Sequence, residues 1–242
     1  MSPTSICCPM QSGAMGYAAQ FLQDAGYRVS QNPESDCSHL LLPVPSFSNG
    51  DDYLKPILKD LPPKVTVYGG FLNIPPLIGY RRADFLTDPY YLARNAAITA
   101  ECTIEIVENI LQQDVAEHTI LILGWGRIGK CLGKLLQGKG AKVAIAARKD
   151  ADLALIEVLG YQAIQLQDPI PDAEFIINTI PAMVLPQVPE NCHAIELASR
   201  PGMIGKNIIS ARGLPGKMRP VDSGKLIAET FIRLSKNQEA AL

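Results

Sequence analysis

The glycine spacing Gly124-Trp125-Gly126-Arg127-Ile128-Gly129 follows the apolar run Thr119 to Leu123 and precedes a segment of helical periodicity. Few six-residue stretches constrain a fold as tightly. The first glycine permits a tight turn out of a strand, the second lets an anion approach bare backbone, and the third lets helix and strand pack closely. The unpaired N–H groups at the start of the helix then face the anion. Gly124, Gly126, Arg127, Ile128 and Gly129 are therefore expected to hold a diphosphate, with Trp125 pointing outward. The bland alternative is a glycine-rich turn that binds nothing.

The flanking pattern favours the first reading. Ile128, Leu132, Leu135 and Leu136 recur at helical spacing, Gly138-Lys139-Gly140 ends the helix, and Lys142 to Ala147 is an apolar run of strand length. Leu153 to Leu159 then reads as a helix stopped by Gly160, and Ala163 to Leu166, Phe175 to Ile177 and Ala194 to Leu197 read as short buried strands. This alternation predicts an α/β fold, a Rossmann-type doubly wound parallel sheet with ligands at the carboxyl ends of its strands. A dinucleotide-binding unit for NAD usually offers an acid at the end of its second strand. Here Arg148-Lys149 stands there, with no acid until Asp150. A basic pair suits a 2′-phosphate and a carboxylate repels it, so NADP is favoured over NAD unless the pair is merely solvated.

The N-terminal part has its own organisation, expected to be a smaller α/β domain. Ser5 to Met10, His39 to Val44 and Val65 to Tyr68 read as strands, with helices over Gly16 to Ala25 and Tyr53 to Leu61. The apolar stripe Ile98, Thr103, Ile104, Val107, Ile110 and Leu111 marks a helix at the boundary. The expected division is residues 1–97 for the N-terminal domain, 98–112 for an interdomain helix, 113–220 for the NADP-binding domain and 221–242 for a returning helix. Asp88-Pro89 is a possible earlier helix start, since proline suits the first helical turn.

A net charge of −2 with 19% charged residues gives no broad basic surface, which argues against nucleic acid as a partner. The apolar stretches are too short to span a bilayer, and Met1-Ser2-Pro3-Thr4-Ser5 lacks the basic start of a signal peptide, so the cytoplasm is expected. Six cysteines without a C-x-x-C motif, and three histidines, point to reduced packing thiols and no metal site.

Several segments resemble the A subunit of dipicolinate synthase. They are Gly124 to Arg127, Ala147-Arg148-Lys149 with Ala151 to Ala154, Asn178 to Met183, Glu196 to Gly202, Gly213 to Pro220 and Ser223-Gly224. Asn95 to Glu101 is similar to that family's N-x-x-P-T-x-E segment, with Ile98 in place of the proline; Cys102 stands where the family often has glycine, and the N-terminal domain reads as shorter. The resemblance implies a two-domain nicotinamide-dependent oxidoreductase, related in fold to 2-hydroxyacid dehydrogenases. It implies oxidation of a dihydro- or hydroxytetrahydrodipicolinate to dipicolinate, a small dicarboxylate accumulated in sporulation, beside a flavoprotein-like B subunit. Fold-level analogy adds a homo-oligomer.

Hydride transfer needs a held nicotinamide, a positioned substrate and a group to move the accompanying proton. Asn178, Thr179 and Pro181, at the end of a strand, are candidates for the cofactor's ribose or nicotinamide side, unless they form only a polar turn. Arg200, beside Ser199, can clamp a substrate carboxylate or sit in a surface ion pair. Glu101 is the candidate general base, and the matching motif assigns Asn95 and Thr99 to substrate with it. Lys217 and Arg219 have weaker claims on a dicarboxylate, as do Lys206, Arg81, Arg82 and Arg94. His39, His118 and His193 fall in no motif. The alternatives are a non-catalytic NADP-binding protein with a regulatory or scaffold role, or a diverged dehydrogenase for another small carboxylate.

Overall fold

The computed structural model describes residues 4–47 and 50–239. In chain order its elements are β1 (Ser5–Cys7), α1 (Gly13–Asp24), β2 (Arg28–Ser30), β3 (His39–Leu41), α2 (Leu54–Asp60), β4 (Thr66–Gly69), β5 (Arg81–Asp84) and α3 (Pro89–Leu111). There follow β6 (Thr119–Leu123), α4 (Arg127–Gly138), β7 (Lys142–Ala147), α5 (Asp150–Val158), β8 (Gln162–Gln165), β9 (Phe175–Asn178), β10 (His193–Glu196), β11 (Ile208–Ser210), α6 (Leu214–Met218) and α7 (Pro220–Glu239). They divide into two compact units, Met1–Asn95 with Pro215–Leu242, and Ala96–Leu214.

The first unit is a five-stranded parallel sheet in the order β2-β1-β3-β4-β5. Side chains alternate across it, as a pleated strand requires. Cys7, Leu40 and Val67 face a core shared with Leu54 and Ile57 of α2. His39 and Tyr68 point the other way, where Phe231 of α7 meets them at ring distances of 5.3 and 4.7 Å. The last helix thus completes the core of the first unit, and it packs along α1.

The second unit is a six-stranded parallel sheet in the order β11-β10-β9-β6-β7-β8. Counted within the unit from β8, that is 3-2-1-4-5-6, the order of dinucleotide-binding sheets. Ile120 to Leu123 and Phe175 to Asn178 are at most 1% exposed, because strands covered on both faces cannot alternate with water. The expected fold class is observed.

Two edge strands were not anticipated. β5 reads Arg-Arg-Ala-Asp and pairs only with β4, and β11 has three residues pairing only with β10. The boundary helix starts at Pro89, nine residues before the apolar stripe, with Asp88 Oδ1 accepting from Tyr91 N at 2.8 Å. None of the six cysteines forms a disulfide among the described residues; five of them are buried, and burial pushes the Cys7 and Cys8 thiols up to about 12. Among the described residues no helix is long and apolar enough to cross a membrane, and no group of three or more His, Cys, Asp or Glu could hold a metal.

Candidate functional site

The carboxyl edge of the second sheet is built by register. Leu123 of β6 lies opposite Ala146 of β7 and Asn178 of β9, and Asn178 lies opposite Glu196 of β10. The segments that follow these strands therefore leave the sheet side by side. They are the glycine turn, Arg148-Lys149, Asn178 to Pro181 and Ser199-Arg200. β6 and β9 flank the point where the chain order reverses, which is where an open parallel sheet leaves a crevice.

The glycines differ in what surrounds them. Gly124 has φ +110° and donates its N–H to Ala146 O at 2.9 Å. A Cβ on Gly129 would lie 2.0 Å from Gly124 O, so strand and helix are as close as bare backbone allows. A Cβ on Gly126 would meet nothing within 4 Å. That open space adjoins the start of α4, whose N-cap is Gly126 with no side-chain capping bond. Arg127 occupies the first helical position and the first turn carries no acid. A cation there opposes the helix dipole, an arrangement that makes sense when an anion sits between them. The residues present thus fit a diphosphate.

Trp125 corrects an expectation. Rather than pointing outward it is only 9% exposed, its ring 5.8 Å from that of Tyr161 in an edge-on contact, with Lys130 Nζ 5.6 Å from its centroid. Its indole N–H is buried without a hydrogen-bond partner. An amphipathic ring between two glycines gains more by packing than by solvation.

Arg148 and Lys149 are both exposed at the end of β7, Lys149 as the N-cap of α5. Ile128 is half-buried. Thr179 donates both its N–H and its Oγ1–H to Leu123 O, each at 2.9 Å, tying the segment after β9 to the glycine turn. Asn178 is fully buried and its side chain is engaged internally with Ile180 and Glu196. Its amide shapes the loop and is not offered to a ligand. Pro181, Ser199 and Arg200 are exposed.

On α3, Asn95 is half-buried at the end of the first unit's share of the helix, and Thr99 and Glu101 belong to the second unit. Thr99 is buried and its carbonyl accepts from Thr103 Oγ1 at 2.7 Å, whereas Glu101 is exposed. Burial and, next, the Glu101 carboxylate push the Cys131 thiol up, which places Glu101 beside α4. Glu108 pairs with Lys139 at the other end of α4 at 2.7 Å, so α3 runs alongside α4 in the same direction.

The other basic candidates belong to other elements. Lys206 is paired with Glu190 at 3.7 Å in a groove of about 660 Å³, at the amino ends of β10 and β11, opposite the glycine turn. Lys217 lies in the last turn of α6, Arg219 lies 4.0 Å from Asp222, and Arg81 and Arg82 are on β5. His118 is hydrogen-bonded to Glu174, again at the amino edge.

Known proteins share this fold. Residues 95–195 match the family model for the D-isomer specific 2-hydroxyacid dehydrogenase NAD binding domain. Over 156 residues the chain is 30% identical to the dipicolinate synthase A subunit of Bacillus subtilis (strain 168), 58% of this chain and 52% of the relative, so the match spans about half of that protein's length. Solved structures of the dipicolinate synthase A subunits from Bacillus halodurans and Bacillus subtilis superpose with TM-scores of 0.83 and 0.82, each at 20% identity. They cover 97% and 100% of this chain, and 98% and 99% of theirs. The chain is thus similar in fold to the A subunit of dipicolinate synthase. Its second unit has the fold and turn of an NAD(P)-binding dehydrogenase domain.

Sequence reasoning missed one residue of this edge. Glu196 is 3% exposed and accepts hydrogen bonds from Asn178 Nδ2, Ala198 N and Gly202 N. The signal available was an acid as the final residue of an apolar strand.

Proposed function

We propose that the protein is an NADP-dependent oxidoreductase that oxidises a dihydro- or hydroxytetrahydrodipicolinate to dipicolinate, the hydroxytetrahydro form also losing its hydroxyl as water. The observation that carries this reading is the uncapped start of α4, with Arg127 at its first position and room at Gly126 for phosphate oxygens. In this reading Gly124, Gly126, Arg127, Ile128 and Gly129 hold the diphosphate. Arg148 and Lys149 take the 2′-phosphate, which makes NAD the poorer ligand. Thr179 and Pro181 border the nicotinamide side, and Asn178 acts through the loop it shapes.

When bound, the nicotinamide supplies the hydride acceptor. Arg200 pairs with a substrate carboxylate, and Asn95, Thr99 and Ser199 are assigned to substrate through their motif segments. Glu101 takes the proton that accompanies the hydride. Assembly with a flavoprotein B subunit, a homo-oligomeric state, a cytoplasmic location and a role in sporulation are further parts of the proposal, supported by the likeness to the A subunit of dipicolinate synthase.

The test is a spectrophotometric assay at 340 nm with dihydrodipicolinate-type substrates, with and without a B-type flavoprotein. Substrate-dependent formation of NADPH is expected, and Glu101→Gln is expected to lower turnover roughly 100-fold while NADPH still binds. Binding of NADPH with no absorbance change under either condition favours a regulatory or scaffold role, or a dehydrogenase for another carboxylate.

A further inference from the structure

Glu196 ends β10 with its carboxylate buried among backbone and amide donors. Oε1 accepts from Asn178 Nδ2 at 2.8 Å and from Ala198 N at 3.1 Å, and Oε2 accepts from Gly202 N at 2.8 Å. Asn178 continues the network, donating to Ile180 O at 3.0 Å and accepting from Ile180 N at 2.9 Å. One carboxylate therefore joins the segment after β9 to the segment after β10. The two also press together directly. A Cβ on Gly202 would lie 2.4 Å from Ala182 O and 2.5 Å from Asn178 Nδ2, and Val184 N donates to Gly202 O at 2.8 Å.

Desolvating a carboxylate costs free energy that an apolar residue of similar size does not incur. A carboxylate at this place is explained if the geometry it imposes matters more than stability does. Two of the three donors, Ala198 N and Gly202 N, lie at the ends of the 198–202 segment and leave it little freedom, and Ser199 and Arg200 lie within it. On the other side Thr179 bonds to Leu123 O beside the glycine turn, so the rim is continuous from Gly124 to Gly202.

We propose that Glu196 is a positioning residue that locks the segments after β9 and β10 into one rim and so fixes where Thr179 and Pro181 of the first segment, and Ser199 and Arg200 of the second, stand at the nicotinamide end of the site. The inference rests on the NADP reading above. Glu196 touches neither cofactor nor substrate; it acts through the loops.

The test is Glu196→Gln in the full-length chain. Glutamine keeps the size but places an NH₂ against an N–H, least unfavourably at Gly202, which loosens the 198–202 segment. Two ligands are titrated: NADPH, and adenosine 2′,5′-bisphosphate, which has the adenosine and 2′-phosphate but no nicotinamide half. NADPH affinity is expected to fall about 10-fold, with adenosine 2′,5′-bisphosphate bound within about twofold of the unsubstituted protein. Equal losses for both ligands, or no loss for either, overturn the proposal. Gly202→Ala disturbs the same rim from the opposite side and must give the same split; if neither variant folds, the carboxylate is structural and the proposal fails. Failure of the NADP reading is seen separately, in the unsubstituted protein, as no binding of either ligand.

Discussion

The two units are parallel sheets with helices on both sides, yet their first strand-to-helix turns are chemically unlike. In the first unit a Cβ on Gly16 would lie 2.9 Å from Gln11 O, five residues back, echoing the approach of Gly129 to Gly124 O. There the likeness ends. Gln11 Nε2 bonds back to Cys8 O at 3.3 Å, Cys8 Sγ to Met10 O at 3.5 Å, and the opening turn Gly13-Ala14-Met15-Gly16 carries no charge. Neither α1 nor α4 has a side-chain cap at its start, but only the second unit adds cations there, Arg127 at the first helical position and Arg148 and Lys149 at the next strand's end. Topology supplies an edge, and turn chemistry decides whether that edge binds an anion.

The largest expected effect tests the closeness of packing. Gly129→Ala forces a Cβ onto backbone and is expected to destabilise the protein by about 3 kcal/mol, against about 1 kcal/mol for Gly16→Ala, both read by urea unfolding. Equal losses would mean that the second turn is no tighter than the first. Next comes charge at the second edge. Arg148→Ala is expected to weaken NADPH by roughly 10- to 100-fold and NADH by little, the loss of a charge-assisted hydrogen bond of about 1.5–3 kcal/mol. If both nucleotides weaken alike, the pair does not read a 2′-phosphate.

The first unit carries a partly buried ion pair. Asp88 caps α3 and pairs with Arg233 of α7 at 2.5 Å. Burial acts to raise its pKa, but the Arg233 and Tyr91 hydrogen bonds outweigh it and the net shift is downward. A carboxyl depressed in the folded state stabilises above its unfolded value, about 3.9, and that contribution is lost as pH falls through the lower folded value. Asp88→Ala is expected to cost about 1–2 kcal/mol near neutral pH and to flatten the decline of Tm below about pH 4. An unchanged decline would show that other carboxylates govern it.

The smallest effect concerns Phe71, held at φ 59° and 64% exposed after β4. Its neighbours are pinned by Gly70 N to Ser46 Oγ at 3.0 Å and Leu72 N to Asp84 Oδ2 at 2.9 Å. Phe71→Asn is expected to raise stability by about 0.5–1 kcal/mol, because asparagine tolerates the left-handed region. A lower Tm would show that the ring contributes to packing.

Much of the second sheet was legible because its central strands are short apolar runs between glycine stops; Lys142–Ala147 is read with its observed bounds. The edge strands β5 and β11 were not, since β5 is charged and β11 has only three residues, although β8, also at an edge, was read to within one residue. Within the site, the glycine spacing named the turn, but a linear sequence does not say which way Trp125 packs or that three donors converge on Glu196. Those depend on segments brought together by register, as Asn178 is with Glu196 across β9 and β10.

The most direct measurement uses the chain's single tryptophan, which lies inside the glycine turn. Titration with NADPH is expected to give saturable quenching of Trp125 fluorescence with energy transfer to the reduced nicotinamide. Gly126→Ala, which fills the open space without meeting other atoms, is expected to weaken that signal at least about 10-fold at an unchanged Tm. Absence of saturable binding by both NADPH and NADH, in protein that melts cooperatively, would contradict the account.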